Sequence, residues 1–245
     1  MRLLCKVTYK GTNYQGWQRQ PDAPTVQETI EKVLSQILNI EITIFGSGRT
    51  DSGVHAQNQY FHFDVNKEID IEKFRYSVNC LLPKDIFIRE MKVVADDFHA
   101  RYNAKGKQYM YLIRFGERDA FNYEFETNFP KAIDINLLSK ILKEFEGTHN
   151  FIDFTPKEDD EWGYVRTISS VKSQYFADSR QFMITFVGNG FMRYQIRNMV
   201  GTALAVAEGK ENKDYIKYHL SDKKNREIVP YKAPAEGLFL VDVYY

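Results

Sequence analysis

The chain has 245 residues, 43% of them apolar and 15% aromatic, with 33 Lys and Arg balanced by 33 Asp and Glu. That length and content build a sizeable core, as one large domain or two modest ones, and exclude a disordered chain. Zero net charge excludes the global basic excess of an indiscriminate nucleic-acid binder, so any grip on RNA has to be local.

From the N-terminus, Arg2 to Lys10 alternates, with Leu3, Cys5, Val7 and Tyr9 on one face, as in a half-buried strand. Thr25 and Glu28 make a capping box, and Val26, Ile30, Val33, Leu34, Ile37 and Leu38 then recur at helical spacing. Glu41 to Phe45 reads as a second strand. It leads into Gly46-Ser47-Gly48-Arg49-Thr50-Asp51-Ser52-Gly53, a loop dense in small residues. The chain extends again through Phe61 and Phe63. A helix from Asp70 carries Ile71, Phe74, Val78 and Leu81 on one side and is closed by Pro83. Strands follow from Ile86 to Val93 and from Lys107 to Phe115, the latter with Tyr109, Tyr111, Ile113 and Phe115 on one face. The second half opens with a helix over Asp134 to Glu146, then strands near Thr167 to Phe176 and Gln181 to Val187. Gly188-Asn189-Gly190 signals a turn. Met192, Ile196, Met199, Val200, Ala203, Leu204 and Ala207 mark a helix that would carry Arg193 and Arg197 four apart, and Gly237 to Tyr245 forms a last apolar strand. Several strands between single helices indicate an α+β fold.

No run reaches the roughly 18 apolar residues of a membrane span, no charged-then-apolar leader opens the chain, and Cys5 and Cys80 lie far apart, so a soluble protein of the reducing cytoplasm is expected. Two patches mix cations with aromatics as phosphate contact and base stacking require: Arg101, Lys105 and Lys107 among Tyr102, Tyr109 and Tyr111, and the pair Arg193 and Arg197. The glycine-flanked loop presents one carboxylate, Asp51, two residues from one guanidinium, Arg49. A pair between them would favour the ionised acid, which suits a nucleophile or charge stabiliser. Taken alone, the loop is better read as an Asx turn in a surface loop, and Tyr109 as a residue of an ordinary core strand. The loop does not match GxxxxGK[ST] and has no lysine, so it is no phosphate-binding loop of a nucleotide triphosphatase. His55 and His62 are seven apart on one strand, and His99, His149 and His219 have no ligand-spaced partner, so structural hydrogen bonds rather than a metal are expected of them. No nucleophile elbow is present.

Taken together, Tyr14-Gln15-Gly16-Trp17-Gln18-Arg19-Gln20, Gly48-Arg49-Thr50-Asp51-Ser52-Gly53-Val54-His55, Asp97-Phe98-His99-Ala100-Arg101, Gly190-Phe191 with Arg197-Asn198-Met199-Val200-Gly201, and Ala235-Glu236-Gly237-Leu238 resemble, in order, the blocks of the tRNA pseudouridine synthase A family. The resemblance covers essentially the whole chain. It implies two α/β halves, 1–105 and 106–245, sharing a central antiparallel sheet, with an active cleft between them and a homodimer binding tRNA. It places the catalytic role on Asp51 and the contact to the target base on Tyr109. Arg49 is then expected to help hold the everted nucleotide, and Arg197 to meet a phosphate or carboxylate. The implied substrate is uridine at position 38, 39 and/or 40 of the tRNA anticodon arm. The acidic run Glu158 to Glu161 matches no block.

Pseudouridine formation breaks the bond from ribose C1′ to uracil N1, turns the base and joins C1′ to C5, without redox change or energy input, so no cofactor is expected. An ionised carboxylate beside C1′ could trap it covalently, stabilise developing positive charge, or remove a sugar proton to give a glycal. Three rivals use the same residues differently. A non-catalytic RNA-binding module would need the basic and aromatic surface but not Asp51. A paralogous synthase would act on another RNA. A nucleoside or glycoside hydrolase would release free base and wants a second placed carboxylate, which does not stand out.

Overall fold

The computed structural model describes residues 1–156, 163–221 and 226–245, so the acidic run Glu158 to Glu161 lies outside the described residues. In chain order the elements are β1 (Arg2–Tyr9), α1 (Val26–Leu38), β2 (Phe45–Gly46), β3 (His55–Asp64), α2 (Ile71–Leu81), β4 (Ile86–Val94), β5 (Gly106–Phe115), β6 (Thr127–Phe129), α3 (Ile135–Lys143), β7 (Gly147–Asn150), β8 (Val165–Phe176), β9 (Gln181–Gly188), α4 (Gln195–Ala207), α5 (Tyr215–Leu220) and β10 (Leu238–Tyr244). The fold is the expected α+β on a mostly antiparallel sheet. The chain divides into two compact units, one of Met1–Lys105 with Phe239–Tyr245, the other of Gly106–Leu238.

In the first unit the strand order is β4-β1-β3-β10, with short β2 on β3. β1 is antiparallel to both β3 and β4, whereas β10 runs parallel to β3 at Phe239↔His55 and Leu240↔Ala56. The alternation read from Leu3, Cys5, Val7 and Tyr9 is the buried face of β1. Thr25 caps α1 by accepting the Glu28 N–H, and Asp70 caps α2 by accepting that of Lys73. α1 buries Val26, Ile30, Val33, Leu34 and Leu38, side chains worth about 1.5–3 kcal/mol each when fully removed from water.

In the second unit the order is β5-β9-β8-β7, with β6 parallel to β5. Tyr109, Tyr111, Ile113 and Phe115 are the buried face of β5, as their spacing predicts. Asp134 caps α3, which buries Leu138, Ile141 and Leu142 and packs with α4 and β8. Among the described residues no helix is long and apolar enough to cross a membrane.

Two expectations from periodicity need correction. Glu41 to Phe45 is not a strand: only Phe45–Gly46 pairs, because the Ile42 and Ile44 N–H groups are taken by Ser35 Oγ (2.9 Å) and Glu31 Oε1 (3.0 Å) of α1. The alternating Ile42 and Ile44 are buried, but beside a helix. The helix expected from Met192 starts at Gln195, since Tyr194 adopts a left-handed φ of 61°. Arg193 therefore precedes α4 and only Arg197 lies on it.

Candidate active site

Asp51 sits half-buried in the turn between β2 and β3, and this turn is fastened from both ends. On one side Ser47 N–H donates to Tyr60 O (2.7 Å) and its hydroxyl to Gln59, whose amide in turn reaches Gly48 O (3.1 Å). On the other side Val54 N–H closes back on Asp51 O at 3.1 Å.

The stretch Tyr14 to Gln20 forms the support beneath this turn. Trp17 N–H donates to Thr50 O (3.1 Å), Gly53 N–H to Tyr14 O (3.3 Å), and Ser52 Oγ to Gln15 Oε1 (3.1 Å). The approach is so close that a Cβ at Gly16 would stand 2.6 Å from Thr50 O, and Gly16 holds a φ of +90° that other residues rarely adopt. Trp17 itself is buried against Tyr9 and Phe61, with ring centroids at 5.9 and 6.1 Å. Below them the buried Thr50 hydroxyl shares a 2.8 Å hydrogen bond with Tyr9, whose phenol burial pushes well up, so it stays protonated. Thr50 is thus fixed by a backbone bond and buried packing and Ser52 by its hydroxyl, which together hold the intervening carboxylate in place.

Arg49 is exposed and its Nε donates to Gln18 Oε1 at 3.1 Å, which ties the guanidinium to the same supporting stretch. Asp51 and Arg49 belong to the first unit, Tyr109 and Arg197 to the second. Tyr109 lies on β5 opposite Phe186 of β9 and meets the edge of Phe191 at 5.3 Å. Arg197 is held by the chain that returns after α5: its Nε donates to Ala233 O (2.8 Å) and its own carbonyl accepts the Ala233 N–H (2.9 Å). Gly201, one turn on, makes room for this, since a Cβ there would be 2.9 Å from Lys232 N and Ala233 N.

The first basic and aromatic patch comes apart. Tyr111 is fully buried, its hydroxyl bonded to Thr127 (2.6 Å) and Pro234 O (2.8 Å), so it is core rather than a stacking surface. Tyr102 is the exposed ring, with the Arg101 guanidinium 5.7 Å from its centroid. All five histidines have the structural hydrogen bonds expected of them: His55 Nδ1 accepts from Gly11 N–H, His62 Nδ1 from Ala100 N–H and His99 Nδ1 from Arg101 N–H. His149 bonds Glu146 O, and His219 bonds Asp153 at 2.7 Å. Among the described residues no three His, Cys, Asp or Glu side chains gather as metal ligands. Sequence reasoning missed the supporting role of Tyr9, Trp17 and Gln59; the glycine beside a tryptophan in Tyr14 to Gln20 was the available signal.

A family model described as tRNA pseudouridine synthase matches residues 6–103 and 141–245. The chain is 39% identical over 246 residues to tRNA pseudouridine synthase A of Streptococcus gordonii, spanning 100% of this chain and 98% of that protein. It is 36% identical over 245 residues to tRNA pseudouridine synthase A of Staphylococcus carnosus, spanning 100% of this chain and 91% of that one. A chain in a crystal structure of a Cbf5-Nop10-Gar1 complex is similar at a TM-score of 0.38 and 14% identity, over 83% of this chain and 54% of that one. That last likeness is too slight to bear on function.

Proposed function

This chain belongs to the tRNA pseudouridine synthase family, and from that premise we propose that it isomerises uridine to pseudouridine at position 38, 39 and/or 40 of the tRNA anticodon stem-loop, with Asp51 as the catalytic carboxylate. It is an isomerase: every atom of the uridine is kept, the C5 proton leaves, N1 gains one, and no co-substrate enters. Asp51 acts at ribose C1′ while the N-glycosidic bond breaks and the C1′–C5 bond forms. Residues 1–105 supply Asp51 and the nucleotide-holding Arg49. Residues 106–245 supply Tyr109, which stacks on the uracil, and Arg197, which meets an anionic group of the RNA. The enzyme works as a cytoplasmic homodimer on the anticodon arm.

The observation that supports Asp51 most directly is the fastening of its turn by the separate stretch Tyr14 to Gln20, through Trp17 N–H on Thr50 O and Gly53 N–H on Tyr14 O. A solvated surface turn has no need of a buried tryptophan beneath it. The test incubates the purified protein with an unmodified tRNA transcript, without cofactor, and maps pseudouridine by carbodiimide labelling and primer extension. Signal in the 3′ side of the anticodon arm that vanishes in Asp51→Asn, while tRNA binding and melting stay at wild-type values, is the expected result. Substantial turnover by Asp51→Asn would remove that residue from catalysis, and signal elsewhere in the RNA would move the substrate site.

A further inference from the structure

Three cations of the second unit converge on one ring. The Tyr194 centroid lies 4.7 Å from the Arg193 guanidinium carbon, 5.4 Å from that of Arg197 and 4.3 Å from the Lys232 ammonium. The three charges therefore lie at most about 10 Å apart, a distance comparable to the Debye length at physiological salt, so their mutual repulsion is only partly screened. Cation–π attraction to the ring face offsets part of that repulsion but leaves the positive potential intact.

Elsewhere on this charge-neutral chain, surface cations take carboxylate partners: Lys6 with Glu90, Lys32 with Glu28, Arg75 with Glu72, and Lys131 and Lys210 with Glu208. Arg193 and Lys232 depart from that habit. Both are exposed, and among the described residues their contacts are with Tyr194, including Arg193 Nη2 to the Tyr194 hydroxyl at 3.0 Å, and not with a carboxylate. Nor is the cluster left to chance by the backbone. Lys232 is carried on the segment that Gly201 admits against α4 and that Arg197 binds through Ala233, and Tyr231 beside it is anchored by its hydroxyl on Glu211 at 2.6 Å.

We propose that Arg193, Tyr194 and Lys232 form a preorganised phosphate-binding site that grips the backbone of the substrate RNA. The inference rests on tRNA being the substrate, and deepens that reading by naming where a phosphodiester is held. Guanidinium and ammonium donors fixed around an aromatic stem recognise charge and not base identity, so the site adds affinity and register rather than sequence preference.

The test measures binding of an unmodified tRNA transcript across a salt series, and pseudouridine formation, for Arg193→Gln, Lys232→Gln, the double variant and the charge-keeping Lys232→Arg. Each Gln variant should weaken binding, the double variant roughly tenfold, and make the plot of log Kd against log salt shallower by about 1 per lost contact. The loss of activity should fall on KM, and Lys232→Arg should bind close to wild type. Unchanged affinity and salt slope in the double variant, or a loss confined to kcat, would overturn the proposal. If wild type binds tRNA with a slope that these variants reduce yet forms no pseudouridine, the phosphate site stands and the assigned reaction falls.

Discussion

The α-carbon of Gly16 rests against the carbonyl of Thr50, the residue before Asp51, so closely that a Cβ would lie 2.6 Å from that oxygen and 3.2 Å from the Asp51 carbonyl carbon. Neither atom can yield easily, because Thr50 O already accepts the Trp17 N–H and Asp51 O the Val54 N–H. Gly16→Ala should therefore push the turn away from its support. The φ of +90° adds strain of about 1–3 kcal/mol. A displacement near 1 Å at a reacting group costs on the order of 100-fold in rate. A steady-state assay on a tRNA transcript, paired with a thermal melt, should find kcat down by that order with tRNA binding kept; wild-type kcat would detach this contact from catalysis.

Tyr109 and Tyr111 sit two apart on the buried face of β5, yet they should respond differently to loss of the hydroxyl. Tyr111→Phe leaves Pro234 O and Thr127 Oγ1 without the phenol they share inside the fold. Losing those bonds costs about 1–3 kcal/mol, or roughly 2–6 °C in Tm for a chain of this size, with kcat little changed. Tyr109→Phe should collapse turnover well beyond any change in its melt if its hydroxyl assists removal of the C5 proton. Full turnover by Tyr109→Phe would restrict that ring to stacking.

What the sequence could reveal followed from how local each signal was. The faces of β1, β5 and α1, and the cap at Thr25, depend on neighbours within a few residues, and formed as read. Ile42 and Ile44 alternate like a strand, but α1 side chains take their N–H groups, a competition that alternation does not encode. The late start of α4 comes from one left-handed tyrosine, Tyr194, that no propensity scale flags. A catalytic role for Asp51 enters only through the family blocks, although the loop itself is conspicuous for its small residues. Its support is not, since Trp17 and Thr50 meet across 33 positions. The buried Asp153–His219 pair and the cations around Tyr194 likewise join distant segments.

Arg197 has a structural contact in the fold and a proposed contact to substrate, and one substitution probes both. Its Nε–H holds Ala233 O at 2.8 Å, which an ammonium on a longer flexible stem cannot reproduce in the same place. Arg197→Lys should lose that bond, costing about 1 kcal/mol in a urea melt. It should also lower turnover by tenfold or more if the guanidinium meets substrate. A stability loss alone, with unaltered kcat and KM, would make Arg197 purely a clasp for the segment from Tyr231 to Ala233.

His62 should make stability depend on pH. It is only 2% exposed, its ring stacks on Phe45 at 5.1 Å, and its Nδ1 accepts the Ala100 N–H at 3.2 Å, a bond that protonation would turn into two opposed donors. Burial first, then the nearby His99 and Arg2, lower its pKa from the usual 6.5 to about 4, while the Asp64 carboxylate and the Phe45 carbonyl pull weakly the other way. Because the folded pKa lies below the unfolded one, the neutral ring imposes no penalty above pH 6.5. As pH falls from there toward 4 the unfolded chain takes up the proton first, and stability is lost. The full loss is on the order of 3 kcal/mol. His99, also shifted down by burial, adds to it in the same sense. Urea melts at intervals from pH 8 to pH 4 should fall more steeply for wild type than for His62→Gln, which has no proton to gain. Parallel curves for the two proteins would place the acid sensitivity at other groups.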